Sequence, residues 1–227
     1  MRTLYLVHDP MCSWCYAFAP AWRRIEAGLP ETVVREYVLG GLAPDSDQPM
    51  PPALQAYIQQ NWRRIQETVP GTEFNFEFWT RCRPRRSSYP ACRAVLAAKH
   101  FGAHHEEPMI EKIQTAYYRQ ARNPSDVETL CELAGELGID AGAFRAWMES
   151  EACQAELEAQ IEKTDALGVT GFPSLVLATD DRLSVIPHDY TDPMVTLRAL
   201  DNTISSSDPY AAAPHRPDGG YPTEDGQ

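Results

Sequence analysis

The 227-residue sequence contains no run of about 18 consecutive apolar residues, so nothing in it reads as a membrane-spanning helix. Its first apolar run, Leu4-Tyr5-Leu6-Val7, is too short for the core of a secretory signal and closes on His8-Asp9, which makes the cytoplasm the expected location. Positive charge is scarce: 20 Lys and Arg stand against 32 Asp and Glu, a net charge of −12. Most of the surface then repels phosphate backbones and anionic head groups, so neither nucleic acid nor membrane is expected as a partner. A Walker loop, a GxGxxG after a strand and a Gly-x-Ser-x-Gly are all missing, which leaves nucleotide use and serine hydrolysis without support. Six cysteines are too few for a disulfide scaffold in a chain of this length. In a reducing compartment most stay thiols, and a pair with special spacing becomes a chemical or metal-binding candidate.

Apolar material is ample. Hydrophobic residues make up 43% and aromatics 10%, enough for a core without covalent staples. Leu4 to His8 reads as a buried strand, and Trp14, Phe18, Trp22 and Ile25 then recur at helical spacing up to a stop at Gly28. Val33 to Leu39, closed by Gly40-Gly41, supplies a second strand and completes a βαβ unit. From Pro52 to about Leu167 the apolar period is near 3.6, which predicts helices at about 52–67, 89–101 and 106–121 and further ones after them. Ser125-Asp126-Val127-Glu128 has the form of a capping box, and Asp140 is placed to cap the next helix. Ser174 to Ala178 and Leu183 to Ile186 predict a hairpin, with a last helix at about 193–204. Beyond it, 205–227 is rich in Ser, Pro, Gly and Asp and is expected to be disordered.

Chemistry concentrates at Cys12-Ser13-Trp14-Cys15, between the first strand and the first helical turn. Free backbone N–H groups and the dipole at a helix N-terminus favour an anion, so the thiolate of Cys12 is the expected attacking sulfur. Cys15, one turn on, can resolve a mixed disulfide formed at Cys12. The alternatives are a zinc half-site and two cysteines that merely pack. Zinc would need a second pair at like spacing, whereas Cys82 and Cys92 are ten apart and Cys131 and Cys153 sit in amphipathic helix patterns. A second signal, Gly168-Val169-Thr170-Gly171-Phe172-Pro173, leads into a strand, where Pro173 is a candidate for a cis bond or for an ordinary turn.

This order of elements, with the CxxC helix and the Gly-Val-x-Gly-x-Pro turn before a hairpin, resembles the DsbA-like branch of the thioredoxin superfamily from Leu4 to about Ile204. Asp9-Pro10-Met11-Cys12-Ser13-Trp14-Cys15 and Tyr89-Pro90-Ala91-Cys92-Arg93 are most similar to the bacterial cytoplasmic group described as predicted protein-disulfide isomerases, relatives of the FrnE-like proteins. The resemblance implies an α/β thioredoxin-like fold with a large inserted all-helical domain: 1–45 and 165–204 form the thioredoxin-like part and 46–164 the insertion. It implies thiol-disulfide exchange on protein or small-molecule disulfides, with Cys12 as nucleophile, Cys15 as resolving thiol, Pro173 as the cis-proline and Phe172 offering its backbone to an extended peptide. No cofactor and no metal are expected. The Ser13-Trp14 dipeptide lacks the histidine of the periplasmic oxidase, so a less oxidising couple is expected. Two other functions share parts of the pattern: a kappa-class glutathione transferase or hydroxychromene-carboxylate isomerase, whose usual active-site serine is Cys12 here, and a redox-switched chaperone-like binding protein.

Other residues carry two readings each. Asp9, beside His8, either exchanges charge or a proton with the cysteines or simply begins the turn before Pro10. Trp14 either rims a substrate site or packs. Arg81, Arg83, Arg85, Arg86 and Arg93 surround Cys82 and Cys92, either facing an anion such as glutathione or balancing nearby acids. Cys92, near a helix start and beside Arg93, is either reactive or buried and inert, with Cys82 ranked behind it. His100, His104 and His105 with Glu106 and Glu107 invite a metal reading, against which Gly102 interrupts the helix.

Overall fold

The computed structural model describes residues 2–180 and 182–206. Strand β1 (Arg2–His8) runs into helix α1 (Ser13–Ala27) and returns as β2 (Val33–Leu39), parallel to β1. After seven helices the chain forms β3 (Ser174–Ala178) and β4 (Leu183–Ile186), both antiparallel to their neighbours, and ends in α9 (Pro193–Ser206). The sheet order is β2-β1-β3-β4. A parallel βαβ half joined to a ββα half is the thioredoxin-like arrangement that the resemblance implies. Ser205 and Ser206 close α9, and the rest of the segment expected to be disordered lies outside the described residues.

Alternation along β1 decides what the site can reach, because successive side chains in a strand point to opposite faces. Leu4 and Leu6 join Phe18, Trp22 and Ile25 of α1 in the main core, together with Leu175 and Leu177 of β3. Val7 faces the other way, into a smaller cluster with Val38, Leu167 and Val176. His8 and Asp9 therefore leave the end of β1 toward opposite sides.

The helices between β2 and β3 are α2 (Pro52–Thr68), the short α3 (Phe78–Arg81), α4 (Tyr89–His100), α5 (Glu106–Tyr118), α6 (Val127–Glu136), α7 (Ala141–Met148) and α8 (Glu151–Ala166). Ala-rich α4 is buried along most of its length, and its small side chains let α5, α7 and α8 pack closely around it. Tethers hold α8 to β2: Leu39 N–H donates to Gln160 Oε1 at 3.2 Å, and Lys163 Nζ meets Glu36 Oε1 at 2.6 Å. A second core, Trp62, Phe74, Phe78, Tyr117 and Tyr118, fastens α2, α3 and α5 beside the start of α1.

Two local expectations separate. Asp140 caps α7, accepting from Ala143 N–H at 2.8 Å. The capping box at Ser125 does not form. Asp126, not Ser125, precedes α6, and it makes no side-chain cap. Ser125 is diverted because its hydroxyl donates to Ser87 O at 2.7 Å, while Glu128 pairs with Arg145 at 3.0 Å. A buried tertiary bond outweighs the local cap here. Helix α3, with one turn and no periodicity of its own, was not anticipated from the sequence.

Candidate active site

The site forms where β1 gives way to α1. Cys12 sits at the helix N-cap in an extended conformation (φ −80°, ψ 118°), its N–H bonded to Asp9 O at 3.0 Å and its carbonyl receiving Tyr16 N–H at 3.0 Å. The N–H groups of the first helical turn lack intrahelical acceptors and point past this residue. All six cysteines are free thiols. The Cys12 thiol donates to Phe172 O at 3.6 Å across the site. Cys15, one turn deeper, lies with its thiol against Cys12. Burial pushes the Cys15 thiol pKa well above its ordinary value, and the neighbouring Cys12 pushes the same way.

Phe172 and Pro173 are joined by a cis peptide bond just before β3. The end of the Phe172 ring presses on Gly40, where an added Cβ would overlap it, so the Gly-Gly end of β2 is the floor on which this turn rests. Pro173 is buried, Phe172 half-buried and Gly171 exposed, which leaves the backbone of the turn open toward Cys12.

Asp9 is wholly buried. Its Oδ1 accepts from Met11 N–H at 2.7 Å; its Oδ2 accepts from Leu42 N–H at 2.7 Å, Ser88 Oγ at 2.7 Å and the Cys92 thiol at 3.5 Å. The carboxylate thus ties the cysteine turn, the loop after β2 and the start of α4 together. Burial raises its pKa above the ordinary carboxylate value, against the opposing pull of these donors. Asp9→Asn keeps one acceptor oxygen but turns an NH2 toward backbone donors, and is expected to cost about 1–3 kcal/mol of unfolding free energy. The folded state holds this proton more tightly than the unfolded chain. Wild-type stability from this group therefore falls as pH rises from the ordinary carboxylate value through the raised folded one, whereas Asn does not titrate. Urea unfolding of both proteins at about pH 4 and about pH 7 should show the gap between them narrowing at the higher pH.

A cleft of about 330 Å³ opens over Cys12. Trp14 and Phe172 wall one side and Leu54, Tyr57 and Ile58 of α2 the other, with Arg86 at the rim. Cys12 lines this cleft and Cys15 does not. Trp14 also packs against Tyr190, ring centroids 5.2 Å apart, so it is at once rim and packing residue. The contribution of α2 was not singled out from the sequence: its amphipathic pattern marks a helix, but nothing local shows that its partly exposed Tyr57 and Leu54 face a cysteine more than forty residues earlier.

The arginines divide. Arg81 pairs with Glu77 at 3.1 Å, Arg85 with Asp126 at 2.7 Å and Arg93 with Asp45 at 2.8 Å. Arg86 is exposed in the cleft and forms no ion pair among the described residues. Cys92 is fully buried against Asp9, and burial pushes its thiol well above the ordinary value, with the Asp9 charge adding to it. Arg93 points away from it, toward Asp45 and Gln154. The Cys82 thiol donates to Ala121 O at 3.0 Å. His100 stacks on Trp147 at 4.5 Å between centroids while His104 faces His105 at 4.0 Å, and among the described residues no three His, Cys, Asp or Glu side chains converge as metal ligands.

A sheet of order β2-β1-β3-β4, a Cys-x-x-Cys pair opening α1 and a cis-proline facing it define a thioredoxin-fold protein with a dithiol site. The chain belongs to the DSBA-like thioredoxin domain family, a family of thiol-disulfide oxidoreductases, whose model matches residues 3–195. Among solved structures it is similar to a protein of Nitrosomonas europaea provisionally assigned as a protein disulfide isomerase, with 26% identity, a TM-score of 0.81, and 91% of this chain and 99% of that one covered. It is also similar to the cytosolic disulfide reductase DsbM from Pseudomonas aeruginosa, with 26% identity, a TM-score of 0.72, and 90% and 100% of the two chains covered. That reductase is also solved with GSH, at a TM-score of 0.70 to this chain. A curated relative, the ClpXP adapter protein SpxH of Halalkalibacterium halodurans, is 21% identical over 182 residues; the match takes in 78% of this chain and spans 59% of the relative's length.

Proposed function

We propose that the protein reduces disulfides by dithiol exchange at Cys12 and Cys15, taking disulfides borne on extended peptide segments or on glutathione. The observation that carries this reading is the division of labour between two free thiols. Cys12 opens on the cleft at a helix start, and Cys15 lies behind it where no substrate reaches.

Cys12 sulfur attacks a substrate disulfide, forming a mixed disulfide and releasing one substrate thiolate. Cys15 then loses its proton and attacks Cys12, forming the intramolecular disulfide and releasing the second thiolate. Two electrons pass from protein to substrate, and an external thiol must restore the dithiol. The apolar walls accept side chains of an extended segment, and the exposed backbone around Gly171 and Phe172 offers main-chain pairing with little sequence preference. Arg86 supplies a cation for a substrate carboxylate, and the resemblance to a reductase solved with GSH supports glutathione as one such substrate. In the same reading 1–45 with 165–204 is the redox module and 46–164 the helical cover that forms the cleft wall. The likeness to a cytosolic reductase supports a reducing, cytoplasmic setting.

Cys15→Ser exposed to glutathione disulfide should accumulate one glutathione adduct per chain, on Cys12, as read by intact and peptide mass spectrometry. No adduct, or an adduct on another cysteine, overturns the proposal.

A further inference from the structure

Cys15 must lose a proton before it can resolve a mixed disulfide, and it is buried where bulk water does not reach it from the cleft. Asp9 is the nearest carboxylate by sequence and its charge reaches Cys15, yet both its oxygens already accept bonds from Met11, Leu42, Ser88 and Cys92. His8 is not engaged in this way. His8 is only 3% exposed, and its Nε2 has no hydrogen-bond partner. A basic nitrogen left unpaired in a protein interior is unusual enough to require an explanation.

His8 and Cys15 line the same small cavity, about 40 Å³, together with Pro173, Tyr37 and Gln114. A space of about 10–15 Å³ admits one water, so the cavity accommodates at least one between imidazole and thiol. Its outer wall is formed by Glu107 and Glu111 of α5 and Arg23 of α1, a charged mouth that leads to solvent. The titratable groups that face His8 are therefore Tyr37 from β2, Cys15 and Arg23 from α1, and Glu107 and Glu111 from α5. The Tyr37 hydroxyl is engaged by Trp22 Nε1 at 2.9 Å, and Glu111 by Arg23.

We infer that His8 is the proton relay of the resolving step, taking the Cys15 proton through a water in the cavity they share and passing it to solvent past α5. The inference rests on the exchange reading above. In the step, the Cys15 S–H bond and the bond between Cys12 and the substrate sulfur break, and the Cys12–Cys15 bond forms. The electron pair leaves on the substrate sulfur as a thiolate, and the proton goes to Nε2 and then to bulk water. Burial lowers the imidazole pKa to about 4. The ring is thus neutral with a free acceptor at working pH, and it does not retain the proton it receives. His8 does not touch the substrate; it acts through Cys15.

The test is rapid-mixing kinetics with a mixed disulfide preformed on Cys12. Wild-type resolution should be nearly independent of pH from about 6 to 8, because the acceptor is already neutral. In His8→Phe it should fall by about 10²-fold and then rise about tenfold per pH unit, since hydroxide must now remove the proton. Capture at Cys12, measured in the Cys15→Ser background with and without His8→Phe, should agree within about threefold. His8→Gln, which bonds without being a base, should match His8→Phe and decides the matter where the phenylalanine protein does not fold. Wild-type rates in these variants, or slower resolution with an unchanged flat pH profile, overturn the relay while leaving dithiol exchange intact. Failure of Cys15→Ser to capture substrate removes both.

Discussion

Cys12→Ser is expected to abolish disulfide reduction, lowering the rate of insulin-disulfide cleavage by at least about 10³-fold. A serine hydroxyl does not ionise in this range and forms no mixed disulfide, so the first bond of the cycle cannot be made. The remaining thiols offer no detour. Cys15 faces the small cavity behind the site and not the cleft, and burial keeps its thiol protonated. Cys92 is fully buried against Asp9, and Cys82 is engaged with the Ala121 carbonyl. The same variant separates catalysis from a redox-independent holding activity. A chaperone-like protein would keep unfolded clients soluble with the hydroxyl in place, whereas the exchange enzyme loses its only entry point. Insulin reduction that persisted in Cys12→Ser would end the proposed function.

Much of this site is local in the chain and was therefore legible. The strand, the CxxC and the helix follow one another within 27 residues, so the position of Cys12 at a helix start is fixed by short-range pattern. The Gly-x-Pro turn before β3 is likewise a local signature, although only its likeness to a family joins it to the cysteines 160 residues earlier. What the pattern could not carry is which long-range partner each polar group finds. Asp9 reads as a turn residue until Leu42 and Ser88, 33 and 79 positions away, close on it. Ser125 has every local mark of a helix cap and instead bonds Ser87. The alternation of β1 predicts that His8 and Asp9 part company. Which of them shares a cavity with Cys15 depends on how α1 and α5 pack and on the loop after β2 and the start of α4 closing on the Asp9 carboxylate.

The burial that leaves His8 neutral also makes it a stability-determining group in acid. In the unfolded chain His8 takes a proton near its ordinary value of 6.5; in the folded protein it does so only near 4, because desolvation penalises the charged ring. Between these two values the unfolded state binds more protons than the native one, so stability rises with pH through the window and is lost as pH falls through it. At 3% exposure the ring is not screened by solvent, and the lowering from 6.5 to about 4 corresponds to about 3 kcal/mol. Wild-type unfolding free energy should therefore drop by about 3 kcal/mol more than that of His8→Phe between about pH 7 and about pH 4, measured by urea unfolding. The phenylalanine keeps an aromatic ring against Tyr37, which His8 meets edge-on at 5.5 Å, and so changes the titration with little change in packing. Parallel acid slopes for the two proteins would mean that His8 is protonated as readily in the fold as outside it. An imidazole so easily charged would keep the proton it takes from Cys15, and the transient acceptor on which the relay depends would not exist.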